Sequence, residues 1–125
     1  MIDRLDHLVL TTRDLEACVD FYTQVLGMTR ETFGAGRIAL RFGNQKINLH
    51  AQGKEIDPKA DVPTPGSLDL CFIATIPLAE VQSRLRAHGV AIVEGPVTRT
   101  GAVGPIRSVY VRDPDRNLVE IAVYG

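Results

Sequence analysis

Residues 118–124 alternate in polarity, with Val119, Ile121 and Val123 on one face and Glu120 on the other, which is the period of a half-buried strand. The same alternation sets Ile38, Leu40 and Phe42 against Ala39 and Arg41. After a Gly43-Asn44 turn signal it sets Ile47 and Leu49 against Lys46, Asn48 and His50 over 46–51. Apolar runs at 5–11, around His7, and at 68–75, around Asp69, predict two more strands. Between them the period lengthens. Leu15, Cys18, Val19, Tyr22, Val25 and Leu26 form a helical stripe, with Asp14 as cap and Gly27 as stop. Leu78, Val81 and Leu85 form a second, opened by Pro77 and ended by Gly89. Residues 91–93 read as a short strand, 95–105 as a loop carrying Arg99 and Thr100, and 108–112 as a strand. Asp113-Pro114-Asp115-Arg116-Asn117 is turn chemistry.

The order strand, helix, strands thus occurs twice. His7 is as far from Gly27 as Asp69 is from Gly89, Arg41 corresponds to Arg112, and Asn48 aligns with Glu120 across a one-residue gap. Residues 57–67, with three prolines and a glycine, have the length of a link between two half-units. Such a repeat predicts a pseudo-symmetric pair that buries a shared face, with His7, Asn48, Asp69 and Glu120 converging where the units meet.

Glu120 raises the question of chemistry, because a carboxylate in an apolar strand is costly to bury unpaired. A borderline divalent ion held by His7, His50 or Asp69, and Glu120 would neutralise it. A salt bridge or hydrogen bond to Lys46, Arg41 or a histidine would serve as well. The ligands lie on different strands and form no local motif.

Composition narrows the field. A chain of 125 residues with 45% apolar and 23% charged residues can build one domain with a real core, and its net charge of −1 does not suggest nucleic acid or an acidic membrane surface as a partner. No run is long enough to span a bilayer, and the N-terminus lacks the form of a signal peptide. Cys18 and Cys71 form no metal or redox motif and read as core residues, so a cytoplasmic setting is expected.

The stretches 6–10 (Asp-His-Leu-Val-Leu), 21–28 (Phe-Tyr-Thr-Gln-Val-Leu-Gly-Met) and 113–120 (Asp-Pro-Asp-Arg-Asn-Leu-Val-Glu) resemble the vicinal oxygen chelate superfamily of glyoxalases, bleomycin resistance proteins and extradiol dioxygenases. The runs 42–50, 63–73 and 94–102 resemble its uncharacterised glyoxalase-domain branch. The resemblance implies an α+β fold: one domain over 1–125 of two βαβββ modules, about 1–55 and 67–125, forming a cup-shaped, curved mixed sheet around a divalent ion (Zn, Ni, Mn or Fe). It maps the first metal ligand onto His7 and the last onto Glu120. It also implies a homodimer.

Three positions depart from the family pattern. Asp69 stands where His is usual, as an oxygen ligand or as a residue orienting His7. Asn48 stands where Glu or His is common, with His50 two residues on as its substitute. Arg116 replaces the common turn glycine at the surface. The expected metal ligands are therefore His7, His50 and Glu120, with Asp69 as a fourth candidate. The expected activity is that of a metal-dependent, glyoxalase-like enzyme on a small substrate with adjacent oxygens, with Glu120 as base. Arg99 is the first choice to bind an anionic substrate group, followed by Lys46, Arg41 and Arg112. The missing second-module histidine counts against simple glyoxalase I or dioxygenase activity. The alternative is a bleomycin-resistance-type protein that sequesters its ligand without catalysis, using the same residues as a hydrogen-bonded network.

Overall fold

A computed structural model describes all residues 1–125, as two compact units, Met1–Ser67 and Leu68–Gly125. The first contains β1 (His7–Thr12), α1 (Leu15–Asp20), β2 (Thr29–Phe33), β3 (Arg37–Phe42) and β4 (Gln45–Ala51). The second contains β5 (Asp69–Ile73), α2 (Leu78–Ala87), β6 (Glu94–Gly101), β7 (Gly104–Arg112) and β8 (Leu118–Tyr124). Each unit is therefore a βαβββ module with its own four-stranded mixed sheet, ordered β1-β4-β3-β2 in one and β5-β8-β7-β6 in the other. No helix is long and apolar enough to cross a membrane.

The repeat holds at the level of register. In the first unit β1 runs parallel to β4 and pairs Val9 with Asn48; in the second β5 runs parallel to β8 and pairs Cys71 with Glu120. Arg41 faces Lys46 across β3–β4, and Arg112 faces Leu118 across β7–β8. The aligned positions Asn48 and Glu120, and Arg41 and Arg112, are thus structurally equivalent. One sheet face in each unit meets a helix: α1 lies against β4, and α2 against β7 and β8. Leu10, Leu40 and Ile47 form the buried face of the first sheet; Val109, Val111 and Val119, with Val81 and Leu85 of α2, form that of the second. Removing so many branched side chains from water is the main source of stability in each unit.

Local chemistry sets the helix ends. The Asp14 carboxylate accepts from the Ala17 amide at 3.1 Å, capping α1. The helix then widens into one π-helical turn, Phe21–Val25, which aims Phe21 and Tyr22 inward with their rings edge-to-face at 5.1 Å. Gly27, at φ 78°, stops it.

Three expectations need correction. The polar stretch Thr29–Phe33 is a strand, although no element was expected there. Residues 91–93 are not a strand, and the expected loop over 95–105 is mostly the edge strand β6 and the start of β7. Gly95 and Pro96 disguised β6. Proline is tolerated on an edge strand at a register break, and the ladder shifts between Glu94 and Val97. A Cβ on Gly95 would stand 2.4 Å from the Ser108 carbonyl oxygen, so only glycine allows β7 to come this close.

Candidate functional site

Strand alternation gives each sheet a second face, away from its helix, and every site residue expected from the sequence lies there. In the first unit this face carries His7 on β1, Lys46, Asn48 and His50 on β4, Arg37 and Arg41 on β3, and Glu31 and Phe33 on β2. His7 is largely exposed, and its Nδ1 lies 2.7 Å from Asp6 Oδ2. That hydrogen bond, with the nearby histidine charge, holds the Asp6 carboxyl below its usual pKa. In the neutral ring, Asp6 fixes the proton on Nδ1 and leaves Nε2 with a free lone pair. The orienting carboxylate is therefore the preceding residue.

His50 is a different kind of histidine. It is 4% exposed, and burial first and the Arg37 charge second hold its pKa below the ordinary value. Its Nε2 is buried without a hydrogen-bond partner, and so is Oδ1 of Asn48 beside it. His7 pairs with Lys46 and His50 with Thr11, four ladder steps apart. That is roughly 13 Å along the strands, further than two imidazoles on one face can span to share an ion.

In the second unit the corresponding face carries Asp69 and Cys71 on β5, Glu120 on β8, Ser108, Tyr110 and Arg112 on β7, and Arg99 on β6. The partner of Glu120 is Ser108, whose fully buried hydroxyl donates to Oε2 at 2.6 Å. The Cys71 thiol, directly across the ladder, also hydrogen-bonds this carboxylate. Burial first, then the Glu120 charge, pushes the thiol pKa up to about 11. Asp69 is exposed, one strand over and two residues back from Glu120.

The four cations expected to bind substrate fare unequally. Arg99 donates to the Tyr110 hydroxyl at 3.0 Å and reaches Glu94 at 3.4 Å. Arg41 is tied to Glu31 at 2.5 Å, and Arg112 reaches back to the Arg116 carbonyl at 3.4 Å. Lys46 has no carboxylate partner; its Nζ sits 3.8 Å from the centre of the Phe33 ring, and the Arg37 guanidinium lies 4.8 Å from the same ring. Sequence reasoning passed over Ser108, Arg37 and Phe33 because their roles depend on cross-strand register.

A metal ion sets a further test. His7, with a free Nε2, and Glu120, as a hard oxygen donor, each have the chemistry of a ligand. No three histidine, cysteine, aspartate or glutamate side chains are gathered into a group that could hold an ion.

Comparison with known proteins agrees with this architecture. The chain is 60% identical over 120 residues to a glyoxalase domain-containing protein, RDO1, of Mycosarcoma maydis, covering 96% of this chain and 68% of that one. It is 56% identical to virulence protein STM3117 of Salmonella typhimurium, over 99% of this chain and 86% of that protein. The crystal structure of STM3117 superposes with a TM-score of 0.98, covering 100% of this chain and 99% of that one. At the level of fold alone, the chain is similar to lactoylglutathione lyase from Agrobacterium tumefaciens (23% identity, TM-score 0.74, 98% of this chain and 95% of that one). It is similar in the same sense to TnmS3, an antibiotic binding protein from Streptomyces sp. CB03234 (20% identity, TM-score 0.78, 99% and 98%). The model of the Glyoxalase/Bleomycin resistance protein/Dioxygenase superfamily matches residues 4–121, and the chain belongs to that superfamily.

Proposed function

We propose that the protein is a glyoxalase-like enzyme that takes a small substrate with two neighbouring oxygens and works with a divalent metal ion. The superfamily includes lyases and dioxygenases, its members often bind divalent metals, and they commonly form dimers. The reading rests on His7: Asp6 anchors one ring nitrogen and leaves the other free, as metal-ligating histidines are typically held by a carboxylate. His7 in the first unit, and Glu120 and Asp69 in the second, carry the donor chemistry for such an ion, although the side chains form no group of three that holds one. His50, four ladder steps from His7, is left for another role. When bound, the ion supplies Lewis acidity to the substrate oxygens. Glu120 receives a substrate proton on its carboxylate, while the Ser108 hydroxyl keeps that carboxylate in place. Lys46, in no salt bridge and resting on the Phe33 ring, is better suited to hold an anionic group than Arg99 or Arg41, each of which is paired with a carboxylate, or Arg112, which reaches the Arg116 carbonyl. In this reading the chain pairs with a second copy.

The second reading is a ligand-sequestering protein that needs no metal. It is favoured by Glu120 already being held by Ser108 and Cys71, as a purely hydrogen-bonded network would require. Elemental analysis separates the two, on protein purified without chelator or histidine tag, beside His7→Ala. One ion per chain, lost in the variant, supports the enzyme. No ion, even after incubation with zinc, manganese, nickel and ferrous iron, overturns it in favour of sequestration.

A further inference from the structure

The first unit leaves two polar atoms unsatisfied where burial makes that costly. Asn48 and His50 are 5% and 4% exposed, yet Asn48 Oδ1 and His50 Nε2 have no partner. Buried polar groups are nearly always hydrogen-bonded, and leaving one bare costs about 1–3 kcal/mol. Both residues lie on the same face of β4, and the pairing of Ala39 with Asn48, continued one pleat, sets Arg37 beside His50.

The cations on this face are also unspent. Lys46 starts opposite Arg41 and ends against Phe33, which pairs with Arg37, so its side chain runs past Ala39, where a methyl group leaves room. Lys46 and Arg37 thus both lie over one aromatic ring, with no salt bridge from a carboxylate to either. Arg41 is neutralised by Glu31, and Asp6 sits at the His7 end of the face. Two unpaired positive charges beside two unpaired hydrogen-bonding atoms define what is missing: an anion with a hydroxyl next to it.

We infer that this face receives a small hydroxycarboxylate, its carboxylate held by Lys46 and Arg37 and its hydroxyl donating to Asn48 Oδ1 while accepting from His50 Nε2. The ring tautomer with hydrogen on Nε2 supplies that donor. A carboxylate fits better than a phosphate dianion, because Glu31 and Asp6 border Lys46 closely enough to repel a second negative charge. The inference deepens the glyoxalase-like reading, since a 2-hydroxycarboxylate presents two neighbouring oxygens, but this part of the site needs no metal.

The test is an NMR titration of EDTA-stripped protein with lactate, propionate, propane-1,2-diol and inorganic phosphate. Working without metal keeps the outcome independent of whether His7 and Glu120 hold an ion. Lactate should bind about tenfold or more tighter than propionate, which lacks the hydroxyl, or the diol, which lacks the charge, because a site built around a hydroxyl rejects analogues without it. Lys46→Ala and Arg37→Ala should each weaken lactate by about tenfold, whereas Arg30→Ala, an exposed charge on the other face of β2, should leave it unchanged. Asn48→Leu should erase the preference for lactate over propionate. The inference is overturned if lactate binds no better than the other three probes, if phosphate binds tighter, or if Lys46→Ala and Arg37→Ala bind as the parent does.

Discussion

Asn48 and Glu120 occupy the same place in their units, each on the closing strand and each across from the middle of the opening one. Glu120 is held on two sides, by the Ser108 hydroxyl and the Cys71 thiol. Asn48 faces Val9, which offers nothing to its Oδ1. The cations differ in the same direction. In the second unit Arg99 is locked by Tyr110 and Glu94; in the first, Lys46 and Arg37 rest on an aromatic ring and make no salt bridge. A repeated backbone therefore carries two kinds of polar face. One is finished internally, which suits a carboxylate that must keep its geometry. The other is left open, which is destabilising in the free protein and is repaid when a ligand completes it.

The connections before the closing strands give the largest expected effect. The first unit turns tightly at Gly43-Asn44, whereas the second builds its turn around the buried Asp113 carboxylate. Asp113 accepts from the backbone amides of Asp115 and Asn117 and from the Asn117 side chain, at 2.8–2.9 Å. Asp113→Ala strips all three donors of their acceptor and should cost about 3–5 kcal/mol in urea unfolding. Hydrogen exchange should show the loss mainly in the amides of 68–125. The polar faces come next. Ser108→Ala removes a buried donor from a carboxylate and should cost about 1.5–3 kcal/mol, while Asn48→Leu removes an atom that has no partner and should cost close to nothing or stabilise. Equal losses in the two variants would erase the contrast between the faces.

Pattern alone made some of this legible. Strands with one apolar face, such as β3, β4 and β8, announce themselves by period two, and the repeat follows from their order. Edge strands do not. Thr29–Phe33 is polar on both faces at all but one position, and β6 carries Gly95 and Pro96 because an edge tolerates them and β7 passes too close for a side chain. The widening of the first helix into a π turn leaves no mark on the apolar stripe. At the site, His7 and Glu120 stood out because each is ionisable within an apolar strand. Ser108, Phe33 and Arg37 did not, since their importance comes from what lies diagonally across a ladder, and that needs the register.

The two cysteines sharpen the contrast further. Cys18 is wholly buried on α1, while Cys71 stands beside Glu120 on an exposed strand. With its pKa raised from 9.0 to about 11, Cys71 stays a thiol at neutral pH and should react slowly with iodoacetamide despite its exposure. Burial is the larger cause and Glu120 the next, so Glu120→Gln should speed labelling at pH 8 severalfold without bringing it to the rate of a free thiol. The shift also gives a pH dependence of known sign. The folded state prefers the protonated thiol more than the unfolded chain does. The resulting stability is intact below pH 9.0 and is lost as the pH climbs towards 11. Labelling of Cys18 should stay negligible until the first unit unfolds.

The smallest effect concerns backbone conformation in the same two turns. Gly43 sits at φ 51° in the first unit, and Arg116 at φ 73° in the second. A left-handed backbone costs a residue with a Cβ about 1–2 kcal/mol, which glycine avoids. Arg116 is held there because its amide donates to the Asp113 carbonyl at 2.9 Å, so the anchored turn imposes the strain. Arg116→Gly should relieve it, but glycine also loosens the unfolded chain, so the net gain should be about 0.5–1 kcal/mol. Gly43→Ala should do the reverse, costing about 1 kcal/mol, and with no atom within 4 Å of the added Cβ the cost is conformational and not steric. Opposite signs in thermal melts of the two variants would mean that both turns demand the same left-handed geometry, met by residue choice in one unit and by the Asp113 anchor in the other. A loss of stability in Arg116→Gly would mean instead that the arginine side chain, through its own contacts, outweighs the strain of its backbone.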